Sequence, residues 1–382
     1  MYKLLYKQKK IDTIDILNID RAKDISENKK CIIITGVTGQ DGSLMVDYLL
    51  KNTNNYIIFG GVRRLSIYNH KNIKHVNSDR FFLINFDLTD SHTICRIFDK
   101  LKPCYFINFA SQSYVGSSWD FPEQTWNCNS SSIIHILEGI KEYCPNCKLY
   151  HAGSSEEFGE TIYTPQNESH PLNPSNPYGA SKVASRVLIK TWRKAYNLFI
   201  MQGWLFNHES IRRGEEFVTR KITKNVAYID YCIKFNFQIQ PFYVGNINAQ
   251  RDWSDAEDII DGIWKSLNNS QPKDYVLASG KSHTVREFIT QAFKVVNIHG
   301  YWENNTNDEL NETFYAFIFD KKTILVKIDE NFYRPVDTNL SVGDPTLAKK
   351  ELNWESKNNL DNLIKKMVEY DCNQLLDYDK KR

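Results

Sequence analysis

Residues Cys31-Ile-Ile-Ile-Thr35-Gly36-Val37-Thr38-Gly39-Gln40-Asp41-Gly42 lead without a break into Ser43-Leu-Met-Val-Asp-Tyr-Leu-Leu-Lys51, and that junction decides the fold. The apolar, β-branched run reads as a buried strand and the segment after the third glycine as a helix. Glycines at such a corner let the backbone turn tightly and approach a pyrophosphate, which then rests on the N–H groups of the helix N-terminus. The spacing is GxxGxxG rather than GxGxxG, and a bare strand–turn–helix corner would produce the same letters. Position favours the phosphate: a strand stands before the loop, a helix after it, and an alternating pattern starts there.

That pattern extends outward. Short runs rich in Ile, Phe and Tyr at 31–35, 56–62, 81–86, 104–109, 147–152 and 198–205 are separated by helix-length segments. They predict an α/β fold of βαβ units around a doubly wound parallel sheet. Ligands bind such sheets beyond the carboxyl ends of the strands, so functional residues should follow those runs. Past residue 206 the rhythm turns irregular, with strand-like pieces at 240–245, 274–278 and 324–328 and helices at 284–296 and 357–371. The Asn- and Glu-rich stretch 302–313 reads as a surface excursion. Residues 1–29 show no apolar face and read as an N-terminal extension. Residues 30–206 read as the dinucleotide-binding domain and 207–382 as a smaller lobe with segments returning to the first.

Composition narrows the function. Of 382 residues 25% are charged, and 48 Lys+Arg against 46 Asp+Glu leave a net charge of +2. A disordered chain and a general nucleic-acid binder are both disfavoured. No apolar stretch approaches the roughly 18 residues of a membrane span. No secretory signal is legible in 1–29, so a cytoplasmic location is expected. Eight scattered cysteines include one Cys-x-x-Cys, Cys144 to Cys147, without a second ligand pair. Free thiols and no metal are expected.

NAD-preferring sheets place a carboxylate at the end of the second strand to hold the ribose hydroxyl. Here that run ends in Arg63-Arg64, with Ser66 close behind. Two guanidinium groups suit a 2′-phosphate, so NADP is expected rather than NAD; a solvated arginine pair is the plainer alternative. Asp87-Leu88 after the third strand is placed for the adenine. Ala110, Gln112 and Ser113 after the fourth lie beside the expected nicotinamide half.

Asn176-Pro177 is a helix start, which puts Tyr178 and Lys182 on one helical face. A phenol with pKa near 10 needs roughly 4 kcal/mol to serve as a base at neutral pH. One ammonium at about 4 Å supplies energy of that order. Chance alone yields roughly two or three Tyr-x-x-x-base pairs in this composition, and Tyr6 with Lys10 is one that receives no role. Tyr178 stands apart because it follows a fifth strand ending in Ser154-Ser155-Glu156-Glu157. A hydroxyl at Ser154 can hold a substrate oxygen beside the phenol, and a carboxylate at Glu156 offers a further acid/base. Helix-cap chemistry in a solvated loop is the alternative.

In this order the motifs resemble the extended short-chain dehydrogenase/reductase family. Within it, GVTGQDGSLMVDYLL, VRRLS, NPYGASK, LFNHESIRRGEEFVTRKIT, YRP and GDPTLAKKELNW resemble the GDP-mannose 4,6-dehydratase branch, from about residue 30 to 370. The resemblance implies a Rossmann-type domain with a smaller C-terminal α/β substrate lobe, NADP as cofactor, and GDP-mannose or a similar nucleotide sugar as substrate. It implies a redox-neutral loss of water giving a 4-keto-6-deoxy sugar. Tyr178 would take the 4-OH proton, Ser154 steady that oxygen, and Glu156 take the C5 proton and help expel the 6-OH. Lys182 would lower the phenol's pKa and hold the nicotinamide ribose.

Carried over residue by residue, the cofactor meets Gly36, Thr38, Gly39, Gln40, Asp41 and Gly42 at the loop. It then meets Arg63, Arg64, Ser66, Asp87, Leu88, Ala110, Gln112, Ser113, Lys182, His208 and Arg213. The nucleotide end of the substrate meets Asn207, Lys221, Arg251 and Arg334. A homodimer through helices near 126–142 and 177–195 is implied, or a homotetramer if the 63–75 loop reaches a neighbour.

The chain departs from that branch at several positions. Ser154 stands for Thr, Glu157 for Leu, Phe158 for Tyr, Ile211 for Pro, Asp337 for Glu and Gln124 for Tyr. Glu157 adds a charge that could compete with Glu156, unless it points elsewhere. A second reading is a 4-reductase, a 4-epimerase or a UDP- or dTDP-hexose 4,6-dehydratase on the same scaffold. A third is a non-catalytic NADP-binding protein. Glu156 argues against the reductase and epimerase, Phe217-Val-Thr-Arg-Lys221 against the other dehydratases, and intact Tyr178 and Lys182 against the last.

Overall fold

The computed structural model describes residues 16–64, 69–304, 309–333 and 340–379. The sheet begins earlier than the sequence suggests. Ile16–Leu17 (β1) pairs in parallel with Phe81–Asn85, and Ile19–Ser26 (α1) follows, capped by the Asn18 side chain accepting from the Arg21 N–H at 2.9 Å. Leu17 and Ala22 are buried. The reading of 1–29 as an extension is therefore corrected from residue 16 onward: a two-residue strand is too short to show a period. Tyr6 and Lys10 lie outside the described residues.

The first domain continues through Lys30–Thr35 (β2), Gln40–Asn52 (α2), Tyr56–Val62 (β3), Phe81–Asn85 (β4), Ser91–Leu101 (α3), Tyr105–Asn108 (β5), Ser132–Tyr143 (α4), Lys148–Ala152 (β6), Pro177–Tyr196 (α5) and Ile200–Leu205 (β7). The second half supplies Asn207–Glu209 (β8), Val218–Lys234 (α6), Phe242–Val244 (β9), Gln250–Arg251 (β10), Trp253–Asp255 (β11), Ala256–Leu267 (α7) and Val276–Leu277 (β12). Beyond them come Val285–Val295 (α8), Gly300–Glu303 (β13), Thr313–Ile318 (β14), Lys321–Ile328 (β15) and Leu360–Asp379 (α9).

One parallel sheet runs in the order β1-β4-β3-β2-β5-β6-β7-β12. This is the predicted doubly wound arrangement, and the order reverses between β2 and β5, which places the ligand crevice there. Both faces of β2 are covered. Ile32 and Ile34 share an apolar layer with Met45 of α2 and Ile259 of α7, while Ile33 shares the opposite layer with Phe98 of α3 and Ile136 of α4. That two-sided burial is why the run is continuously apolar rather than alternating.

In the second half of the chain, β12 extends the large sheet beside β7. A smaller sheet, β13-β14-β15-β9, covers a third apolar core with α6, α8 and α9. Trp302 of β13 packs on Phe314 with centroids 5.2 Å apart and donates to Thr290 Oγ1 at 3.1 Å. The expected surface excursion is thus a paired strand at its start. No helix among the described residues is long and apolar enough to cross a membrane, and the eight cysteines are free thiols.

Candidate active site

Gly36 follows β2 with φ +65°, and a Cβ there would stand 2.8 Å from the Ala110 nitrogen. A Cβ on Gly42 would stand 2.4 Å from the Gly36 carbonyl oxygen. Side chains are excluded at both positions, so the loop closes tightly on the first turn of α2 and presents that helix end. Across the loop, His208 Nε2 lies 3.0 Å from Asp41 Oδ2 while its Nδ1 faces the Phe206 carbonyl at 2.7 Å. Burial works to raise the Asp41 pKa and to lower that of His208. Burial is the largest single influence on each, but the partner's charge and the hydrogen bonds together outweigh it, so the carboxyl sits below its usual range and the imidazole above its own.

Helix α5 starts as the sequence predicts. Asn176 Oδ1 accepts the Gly179 N–H at 2.8 Å, and its Nδ2 donates to Glu156 Oε2 at 2.8 Å. One cap residue thereby links the Tyr178 helix to the Glu156 carboxylate. Ser154 Oγ accepts the Glu156 N–H at 3.2 Å. Glu157 points the other way: it is fully buried and its carboxylate meets the Arg186 guanidinium at 2.5 Å. It does not compete with Glu156.

A cavity of about 570 Å³ gathers the phosphate loop (Gly36, Thr38, Gly39, Gln40, Asp41 and Gly42) with Ser154, Glu156, Tyr178 and Lys182. Its wall also includes Ser113, Asn207, His208, Arg213 and Arg251. The same walls could hold a dinucleotide along the glycine loop and a sugar beside the phenol. Among the described residues no group of three or more His, Cys, Asp or Glu side chains is placed to hold a metal ion.

Residues 33–367 match the family model described as GDP-mannose 4,6 dehydratase. The chain belongs to the GDP-mannose 4,6-dehydratase family. It is 37% identical over 352 residues to the GDP-mannose 4,6 dehydratase of Drosophila melanogaster, covering 90% of this chain and 86% of that one. Against the Homo sapiens GDP-mannose 4,6 dehydratase it is 35% identical, covering 91% and 93%. The structure of RMD from Pseudomonas aeruginosa complexed with NADPH shares the fold, with a TM-score of 0.70 at 17% identity over 91% of this chain and 100% of that one.

For a GDP-mannose 4,6-dehydratase, several expected contacts stand off the cavity wall. Arg63 and Arg64 are exposed just past β3. Asp87 accepts from the Thr89 N–H and Oγ1, and Leu88 is buried in the core. Ala110 donates its N–H to Thr35 Oγ1 at 3.2 Å, and Gln112 turns its amide to the Tyr114 carbonyl. Gln40 does line the cavity, with its side chain held by the His208 carbonyl and the Ser210 hydroxyl. Lys221 lies 3.3 Å from the Phe332 ring centroid. Ser66, Arg334 and Asp337 lie outside the described residues.

Sequence reasoning missed Lys71, Asn72 and Arg212 on the same wall. Asn72 Nδ2 donates to the Thr38 carbonyl at 3.0 Å, and Arg212 reaches Ser43 Oγ at 3.1 Å and Asp47 at 2.5 Å. The adjacent arginines 212 and 213 were the available signal for the last.

Lys182 donates to the Ala152 carbonyl at 2.8 Å and its Nζ stands 5.7 Å from the Tyr178 ring centroid. Burial, the largest influence, raises the Tyr178 pKa; the Ser154 hydrogen bond opposes it and Glu156 and Glu157 add to it. Burial therefore works against the phenol as a base in the protein alone.

Burial pulls the Lys182 pKa down to about 8, with Glu157 resisting. An unfolded lysine holds its proton to near pH 10, so stability falls as pH drops from about 10 to about 8 and the deficit persists below that. Lys182→Met is expected to remove the deficit. After losing the Ala152 hydrogen bond, the variant should gain about 1–2 kcal/mol at neutral pH while turnover collapses. Urea denaturation at neutral and alkaline pH checks this: the gain must shrink as pH rises from about 8 to about 10.

Proposed function

We propose that this chain removes water from GDP-mannose to give GDP-4-keto-6-deoxymannose, as a hydro-lyase of the cytoplasm with NADP as resident hydride carrier. The observation that carries the reading is one shared cavity wall holding the Tyr178 phenol, the Ser154 hydroxyl, the Glu156 carboxylate and a glycine loop at a helix N-terminus. The loop fits a dinucleotide diphosphate, because at Gly36 and Gly42 a Cβ would fill the cradle. Arg213 adds positive charge on the cavity wall. Arg63 and Arg64 would take the 2′-phosphate. When bound, the dinucleotide supplies a positive charge beside the phenol, a hydride acceptor for C4 of the hexose and the same hydride back at C6.

Tyr178 accepts the proton of the 4-OH through its phenol oxygen, and Ser154 Oγ holds that oxygen in place. Once C4 is a ketone the C5 hydrogen is acidic. Glu156, fixed by the Asn176 amide, takes that proton and delivers it to the 6-OH, which leaves as water. Tyr178 then returns its proton to C5. Asn207 and Arg251 face the same cavity and would meet the nucleotide end, joined by Lys221 and Arg334.

The reading includes a homodimer through the helices near 126–142 and 177–195, which the exposed Trp126, Ile134, Val187 and Tyr196 support. Free thiols fit a reducing compartment. Incubation of the full chain with GDP-mannose and catalytic NADP is expected to yield a product lighter by one water in mass spectra. Conversion of UDP- or dTDP-glucose with GDP-mannose untouched would overturn the substrate assignment.

A further inference from the structure

We infer that the buried Glu157–Arg186 pair is a positioning device for the reaction, locking the Ser154–Glu156 turn against the helix that carries Tyr178 and Lys182. The inference rests on the reading of the reaction above and assigns a task to two residues that touch no substrate.

Both side chains are fully buried. Glu157 Oε1 accepts the Ser154 N–H at 2.9 Å and Gln202 Nε2 at 3.0 Å. Its Oε2 accepts Arg186 Nε at 2.5 Å, and Arg186 Nη2 lies 3.1 Å from Oε1. The guanidinium also donates to β7, at the Gln202 carbonyl (2.7 Å) and the Gly203 carbonyl (3.3 Å), stacks 3.4 Å from the Trp204 ring centroid, and holds Nη1 3.4 Å from Asp274 Oδ2. Three elements meet in one pair: the 154–157 turn, helix α5 and the buried strand β7.

The geometry selects the catalytic groups. Arg186 sits one helical turn past Lys182 and two past Tyr178, so it shares their face. The backbone donor that Glu157 takes is that of Ser154 itself. Even the preceding glycine answers to the pair, since a Cβ on Gly153 would stand 2.6 Å from Glu157 Oε1 and 2.8 Å from Arg186 Nη2. Well-packed apolar residues would hold the fold as firmly as a buried ion pair. They would not accept the Ser154 N–H, and a turn loosened by about 1 Å is worth roughly 100-fold in rate.

The test uses the full chain and two variants. Glu157→Leu with Arg186→Leu removes the acceptor while keeping an apolar core, and Glu157→Gln keeps an oxygen for the Ser154 N–H. The double variant is expected to fold and to lose about 10- to 100-fold in kcat at unchanged KM for GDP-mannose, whereas Glu157→Gln retains most of the rate. Amide hydrogen exchange should quicken across 153–158 in the double variant and stay slow in Glu157→Gln. A folded double variant with parental kcat and parental exchange would overturn the inference. A parent that leaves GDP-mannose untouched would sink the reading of the reaction instead, and the exchange arm would still decide the pair.

Discussion

Changing Glu156 to Gln is expected to slow the release of water from GDP-mannose by about 1000-fold, the scale of a lost general acid–base. The fold should be indifferent, because a Gln oxygen still accepts the Asn176 amide that now meets Oε2. What disappears is the ability to carry a proton from C5 to the departing 6-OH. Affinity for the dinucleotide should be unchanged, since its cradle is built from Gly36 to Gly42. Tyr178 and Ser154 remain, so oxidation at C4 should proceed. With stoichiometric NADP, the near-ultraviolet absorbance of the reduced nicotinamide should rise and persist in the variant. Exchange of the C5 hydrogen with deuterated solvent should be lost with turnover. Full activity in the variant would remove Glu156 from the mechanism. Absence of the absorbance would move the block to the first step and implicate the Tyr178 environment.

The parallel sheet and its phosphate loop were legible because their signals are local: Cys31 to Thr35 is apolar throughout, and the glycines follow at once. The pairing of Tyr178 with Lys182 was legible for the same reason, as helical spacing on a capped start. The Asp41–His208 contact joins residues far apart in the chain, so no spacing announces it. The tie of Lys182 to the Ala152 carbonyl was not legible, because spacing gives proximity along a helix but not where an ammonium is bonded. The β1 edge strand escaped because two residues pairing with Leu83 and Ile84 have no periodicity of their own. Glu157 was visible as a departure, yet its direction depended on Arg186, which no motif flagged.

Arg186→Met is expected to cost about 3–5 kcal/mol of stability, the range for stranding one partner of a buried ion pair. The loss has three parts. The Glu157 carboxylate stays at zero exposure with only the Ser154 N–H and the Gln202 amide to solvate it. The Gln202 and Gly203 carbonyls each lose a donor. The Trp204 face loses its stacked cation, which Met covers only with apolar surface. Asp274 contributes little to the loss, because it keeps Arg193 at 2.5 Å and the Gln202 N–H at 3.0 Å. Removing an exposed pair such as Lys349–Glu355, whose side chains are 68% and 64% exposed, should cost under about 1 kcal/mol. The contrast is measured by urea denaturation of the three proteins side by side. Adding Glu157→Leu to Arg186→Leu should return most of the stability, because no charge is then left stranded. A single Arg186→Met variant as stable as the parent would mean that water or another group neutralises Glu157, and the carboxylate would no longer be the fixed point from which the Ser154 turn is hung.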